Sequence, residues 1–195
     1  AEFAATAGLM FNVCLDAANQ VMEAFAIALE LPLDFFRRCH LGENSVLRYL
    51  HYPIITHEIQ EGQMGAGAHT DLGTVTLLFQ DDVGGLEVQA TDGKWYEAAY
   101  IEDTILVNIG GLLAHWTNMI YRSTVHRVKP QRPNGLTARG RYSIAFFAEP
   151  ESATPVHVLE SCTGPGNFAK FAPTTAGEHL AEKIEEGQSF RKSAR

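Results

Sequence analysis

Six short runs between residues 46 and 150 limit what this chain can become: VLRYLHYPI, TVTLLFQ, LEVQA, TILVNIG, STVHRVK and RYSIAFFAEP. Each is rich in β-branched and aromatic residues, and Gly, Asp, Asn or Pro separates one from the next. Short strands punctuated by turns cannot bury a face alone, so they stack as two layers. The expectation is a mainly β fold with flanking helices, built as a β-sandwich or a double-sheet jelly roll. Gly84-Gly85 in QDDVGGLEV and Asp92-Gly93 in ATDGKW both read as hairpin turns.

Helices are expected on either side. Over residues 11–29 the chain is Ala-rich, and Val13, Ala17, Val21, Ala24, Ala28 and Leu31 recur at three- and four-residue steps. Pro32 suits the first turn of the short segment LPLDFF. Thr175 and Glu178 have capping-box spacing ahead of HLAEKIEE, which predicts a closing helix with EKIEE on its solvated face. PQRPNGLTARG reads as a polar loop and FRKSAR as a basic tail. With 195 residues, 46% of them apolar, the chain suits one domain with a real core. Its parts are a helical lead-in (1–45), a jelly-roll core (46–150) and a C-terminal extension with its helix (151–195).

Acidic residues outnumber basic ones by 23 to 15, a formal charge of -8. That argues against nucleic acid and against an anionic membrane surface as partners. No apolar run reaches the ~18 residues of a membrane span. The opening AEFAATAGLMFNVCLDAANQ lacks the basic start of a signal peptide. Cys14, Cys39 and Cys162 are odd in number and unclustered, so a disulfide framework or zinc knuckle is not expected. A cytoplasmic location follows as the expectation.

Two pairs of residues carry chemistry. His69 and Asp71 are two apart, and in extended chain such residues point to one side. They can aim an imidazole and a carboxylate at one point. His40, His157 and His179 lie in polar or loop-like contexts, while His51, His57 and His115 lack a comparable acidic partner. His126, inside YRSTVHRVKP, is the best third ligand. Two histidines and one carboxylate suit non-haem Fe(II) with open positions for oxygen chemistry, and they also serve catalytic zinc. Arg141 and Ser143 form the second pair, on one face of RYSIAFF, with Tyr142, Ile144 and Phe146 on the other. A buried Arg without a partner is costly, so an inward Arg141 predicts a carboxylate ligand. Trp95, Trp116, Phe146 and Phe147 read as core aromatics.

In this order, His69-Thr70-Asp71, His126 and Arg141-x-Ser143 resemble the Fe(II)/2-oxoglutarate-dependent dioxygenases of the isopenicillin N synthase-like family. GAHTDLGTVTLLFQDDVGGLEV, DGKWYEA, WTN and YRSTVHRV agree with it, and the resemblance covers residues 46–150. It implies a double-stranded β-helix with iron in its mouth, held by His69, Asp71 and His126. It also implies that Arg141 and Ser143 bind the distal carboxylate of 2-oxoglutarate, assisted by Tyr52. No further catalytic residue is implied beyond the metal ligands. The cofactors would be Fe(II), 2-oxoglutarate and O2, and the substrate a small organic molecule undergoing hydroxylation, desaturation or ring closure.

The chain departs from the family pattern in three places. Leu50 stands where many members have Asn, Gly111 ends an NIGG where NIGD is common, and members are usually much longer at the N-terminus. Three alternatives stay open. One is an iron oxidase of the same family that does not use 2-oxoglutarate. Another is a catalytically silent metal- or ligand-binding fragment. The third, a zinc hydrolase, lacks an evident general base beside the triad.

Overall fold

The computed structural model describes residues 2–131 and 139–193, with side chains described through residue 186. Most of the expected polar loop and the basic tail therefore fall outside the described residues. The architecture is a double-stranded β-helix, or jelly roll. One four-stranded sheet has the order β1-β8-β3-β6 and the other β2-β7-β4-β5, with every named pair antiparallel. The strands of the first are β1 Val46–Tyr52, β3 Val75–Gln80, β6 Leu106–Ile109 and β8 Arg141–Ala148. Those of the second are β2 Ala66–His69, β4 Leu86–Gln89, β5 Trp95–Glu97 and β7 His126–Val128. A two-stranded pair, β9 Pro155–Val156 and β10 Thr174–Thr175, follows.

Helix α1 spans Glu2–Ala28, starting earlier than the expected 11–29, because the preceding residues are also helix formers. Its buried stripe of Cys14, Ala18, Met22 and Ala26 covers the outer face of the first sheet. Phe11 meets Phe146 edge-on at 5.3 Å, so the face of β8 opposite Arg141 is sealed by the helix. Helix α2, Gly111–Trp116, is buried over most of its length. Helix α3, Ala176–Ser193, begins at the expected capping box: Glu178 N donates to Thr175 Oγ1 (3.2 Å), and Thr175 N donates to Glu178 Oε2 (2.9 Å).

Several expectations need correction. Asp92-Gly93 does close the β4–β5 hairpin. Gly84-Gly85 does not close one, since β3 and β4 belong to different sheets. Both glycines adopt positive φ and turn the chain from one sheet to the other, where Lys129 N donates to Gly85 O at 2.8 Å. Trp116 and Phe146 are core residues, but Trp95 and Phe147 are only half-buried, under the guanidiniums of Arg127 and Arg48. His179 is a buried residue of α3, and His40, although in the loop after a short 3-10 turn, is buried as well.

Candidate metal centre

Strand β2 was not among the six runs, because AGAH has no β-branched residue. Its pairing with β7 makes His69 and His126 direct cross-strand partners, with ring centroids 4.3 Å apart. Asp71 lies beyond the strand end, so extended alternation does not aim it. The turn does so instead. Gly111 N donates to Asp71 O (2.8 Å), and Leu112 N bonds the Leu72 and Gly73 carbonyls, so the start of α2 grips residues 71–73 through their backbone. This requires close approach, and a Cβ on Gly110 would overlap the Gly73 carbonyl.

The ligand atoms of His69, Asp71 and His126 all lie within 4.8 Å of one another. His126 Nε2 is 3.6 Å from Asp71 Oδ1. Nδ1–H of His69 donates to Gly67 O (2.7 Å), and Nδ1–H of His126 donates to Thr124 O (3.1 Å). Both Nε2 atoms are thereby left as acceptors, the form that binds a metal. Asn108 Nδ2 donates to Asp71 Oδ2 (2.7 Å), leaving Oδ1 toward the histidines. Asp71 is buried and His69 exposed, so the trio is open on one side. Glu149 sits against the same loop. Burial first, and the Asp71 charge second, push its carboxyl up to about 7. Buried negative charge with convergent imidazoles fits a divalent cation, and the geometry alone does not choose iron over zinc.

The second pair also converges. Arg141 and Ser143 face inward at 1% and 5% exposure. Arg141 Nη1 donates to Ser143 Oγ (3.1 Å), and the guanidinium lies over the Tyr52 ring at 5.0 Å. Tyr52 pairs with Arg141 in register, and Leu50 pairs with Ser143. No carboxylate ion-pairs with Arg141 among the described residues, and its Nε has no hydrogen-bond partner. Burial lowers its pKa, with Tyr52 and Asp81 opposing, yet a guanidinium stays charged. A buried cation of this kind, short of acceptors, suits an anionic partner. Tyr52 also touches the position of Gly65, just before β2, and so links the two pairs. A cleft of about 500 Å³ opens beside it, walled in part by Leu50, Met64 and Gln131.

Other buried polar residues were not legible in the sequence. His40 donates from Nδ1 to Phe36 O (2.7 Å) and accepts at Nε2 from Thr74 Oγ1 (2.8 Å). Burial lowers its pKa to about 4. Thr74 closes the loop that carries Asp71, so this neutral histidine pins that loop from behind. His115 and His179 meet edge-on at 5.9 Å behind Gly111, both with pKa lowered by burial. Gln80 beside Arg141 is equally silent in the sequence, since nothing local distinguishes it from any strand-end Gln.

Comparison with known proteins agrees with the geometry. The family model described as the 2OG-Fe(II) oxygenase superfamily matches residues 42–150. A homoarginine-6-hydroxylase of Oryza sativa subsp. japonica is 38% identical over 174 residues, covering 87% of this chain and 52% of its own. The proline hydroxylase buaE of Petromyces alliaceus is 39% identical over 168 residues, covering 83% and 52%. The crystal structure of a full-length Neurospora crassa protein in complex with alpha-KG and thymine superposes with a TM-score of 0.86 at 34% identity, covering 95% of this chain and 57% of that one. The chain thus spans about half the length of the curated relatives it matches. The family model covers more than half of the chain, over the segment that carries both pairs: this protein belongs to the 2OG-Fe(II) oxygenase superfamily.

Proposed function

We propose that the chain forms the metal- and cosubstrate-binding part of a non-haem iron oxygenase. Its reaction couples 2-oxoglutarate decarboxylation, to succinate and CO2, with oxidation of a small organic molecule. His69, Asp71 and His126 would hold Fe(II), and the bound iron would supply the redox chemistry with O2. Arg141, Ser143 and Tyr52 would hold the distal carboxylate of 2-oxoglutarate. The protein's own work is to fix Asp71 through Asn108, orient both imidazoles through backbone carbonyls, and present one buried positive charge. The observation that carries this reading is Arg141, a fully buried guanidinium whose Nε has no partner, beside a histidine–carboxylate trio.

The same reading takes residues 1–195 as one catalytic domain. In its support, α1 covers the first sheet, and Leu159 and Cys162 pack into the core with Trp116. A reducing, cytoplasmic setting is supported by three unpaired cysteines. No helix among the described residues is long and apolar enough to cross a membrane.

The test is succinate formation from 2-oxoglutarate with Fe(II) and a panel of small-molecule acceptors. Succinate release that depends on iron and on an acceptor, and that His69→Ala abolishes, supports the reading. Oxygen uptake indifferent to 2-oxoglutarate would favour an oxidase instead.

A further inference from the structure

Gln80 ends β3 directly opposite Ser143 of β8, on the side away from β1. Its Oε1 accepts from Arg141 Nη2 at 3.3 Å. Its Nε2 donates to Ala98 O (3.2 Å) and Ala99 O (3.4 Å), just beyond β5 in the other sheet. These bonds fix the amide orientation: reversing it would set an NH2 group against the guanidinium and an oxygen against two carbonyls. Ala98 is itself anchored, since its N–H donates to Leu86 O at 2.9 Å. Gln80 therefore ties the guanidinium on one sheet to the backbone of the other.

The neutrality of this partner matters as much as its position. A carboxylate at Gln80 would form an internal ion pair and use up the charge that an incoming anion needs. An apolar residue would leave Nη2 without an acceptor and the fork free to turn. An amide oxygen holds the fork while leaving its charge unneutralised. On the opposite flank of Ser143 stands Leu50, which offers no polar atom, so the polar support comes from the Gln80 side.

We propose that Gln80 is the positioning residue for Arg141, and that it sets the preference of this site for a 2-oxo acid bearing a distal carboxylate. The inference rests on the proposed 2-oxoglutarate site. It concerns a residue that acts through Arg141 rather than on the reacting atoms.

The test uses the 195-residue chain loaded with Mn(II) without oxygen. Affinities for 2-oxoglutarate and for pyruvate, which lacks the distal carboxylate, are measured by titration calorimetry. The proteins are the natural sequence, Q80E, Q80M and R141M, each checked for folding by circular dichroism. Q80E is expected to lose at least about tenfold in 2-oxoglutarate affinity with pyruvate unchanged, and the loss should shrink as pH falls and the new carboxyl is protonated. Q80M is expected to lose roughly threefold to tenfold, again for 2-oxoglutarate alone. Equal losses for both acids, or none, in folded Q80E and Q80M would overturn the role of Gln80 while R141M still abolishes the preference. If R141M leaves 2-oxoglutarate affinity unaltered, the cosubstrate site itself is wrong, and the role of Gln80 falls with it.

Discussion

Asn108 Nδ2 donates to Asp71 Oδ2 at 2.7 Å, and this one bond decides which carboxylate oxygen faces His126. Such outer partners typically contribute 10–100-fold to metal affinity. Asn108→Ala should therefore weaken Co(II) binding by about that factor, read from the visible spectrum of the bound ion. Unchanged Co(II) affinity would remove Asn108 from the site.

Loss of a ligand should be more severe. His126→Ala leaves one imidazole and a buried carboxylate, too few to fix an open site. Equilibrium dialysis should show divalent-metal affinity falling by at least about a hundredfold. His157→Ala, on a histidine outside the trio, should leave it intact.

Arg141 should reveal itself through stability as well as binding. A buried charge held by neutral acceptors costs desolvation, so Arg141→Met should leave the ligand-free melting temperature unchanged or raised. In the natural chain with Mn(II), 2-oxoglutarate at 100 times its Kd should add about 2.7 kcal/mol of stability, and in Arg141→Met the same concentration should add no more than pyruvate does. A variant stabilised by 2-oxoglutarate as strongly as the natural chain would count against the carboxylate role.

His40 should impose a pH dependence on folding. Its folded pKa of about 4 lies below the ordinary 6.5, so between these values the unfolded chain binds the extra proton. Its neutral form is fully accommodated above pH 6.5, and stability falls as pH drops from there toward 4, by roughly 3 kcal/mol in all. His115 and His179 act in the same direction. Glu149, whose carboxyl is raised to about 7, opposes them over the same range, so the His40 contribution is read as a difference: between pH 7 and 4.5 the urea midpoint should fall less, or rise more, in His40→Asn than in the natural chain. An identical slope in that variant would show that His40 does not drive the effect.

Gly110→Ala tests how Asp71 is aimed. A Cβ there would overlap the Gly73 carbonyl, which is backbone and cannot swing aside. The variant should lose about 1–3 kcal/mol of stability, and Co(II) affinity with it. Gly8→Ala, which meets nothing, should do neither, and by replacing a helical Gly should gain slightly.

The sequence by itself determined the strand texture, the capping box at Thr175 and Glu178, and the order of His69, Asp71, His126, Arg141 and Ser143. These are local patterns, fixed by side-chain type and short spacing. It did not reveal that Gly84-Gly85 crosses between sheets, because a turn dipeptide looks the same whether its strands pair or part. Only the tertiary structure decided the partners of the site. His69 meets His126 through a register, Asp71 is aimed by the distant start of α2, and Asn108, His40 and Gln80 act on residues far away in the chain. A lone Asn, His or Gln carries no periodicity, and its role exists only once folding supplies the group it bonds.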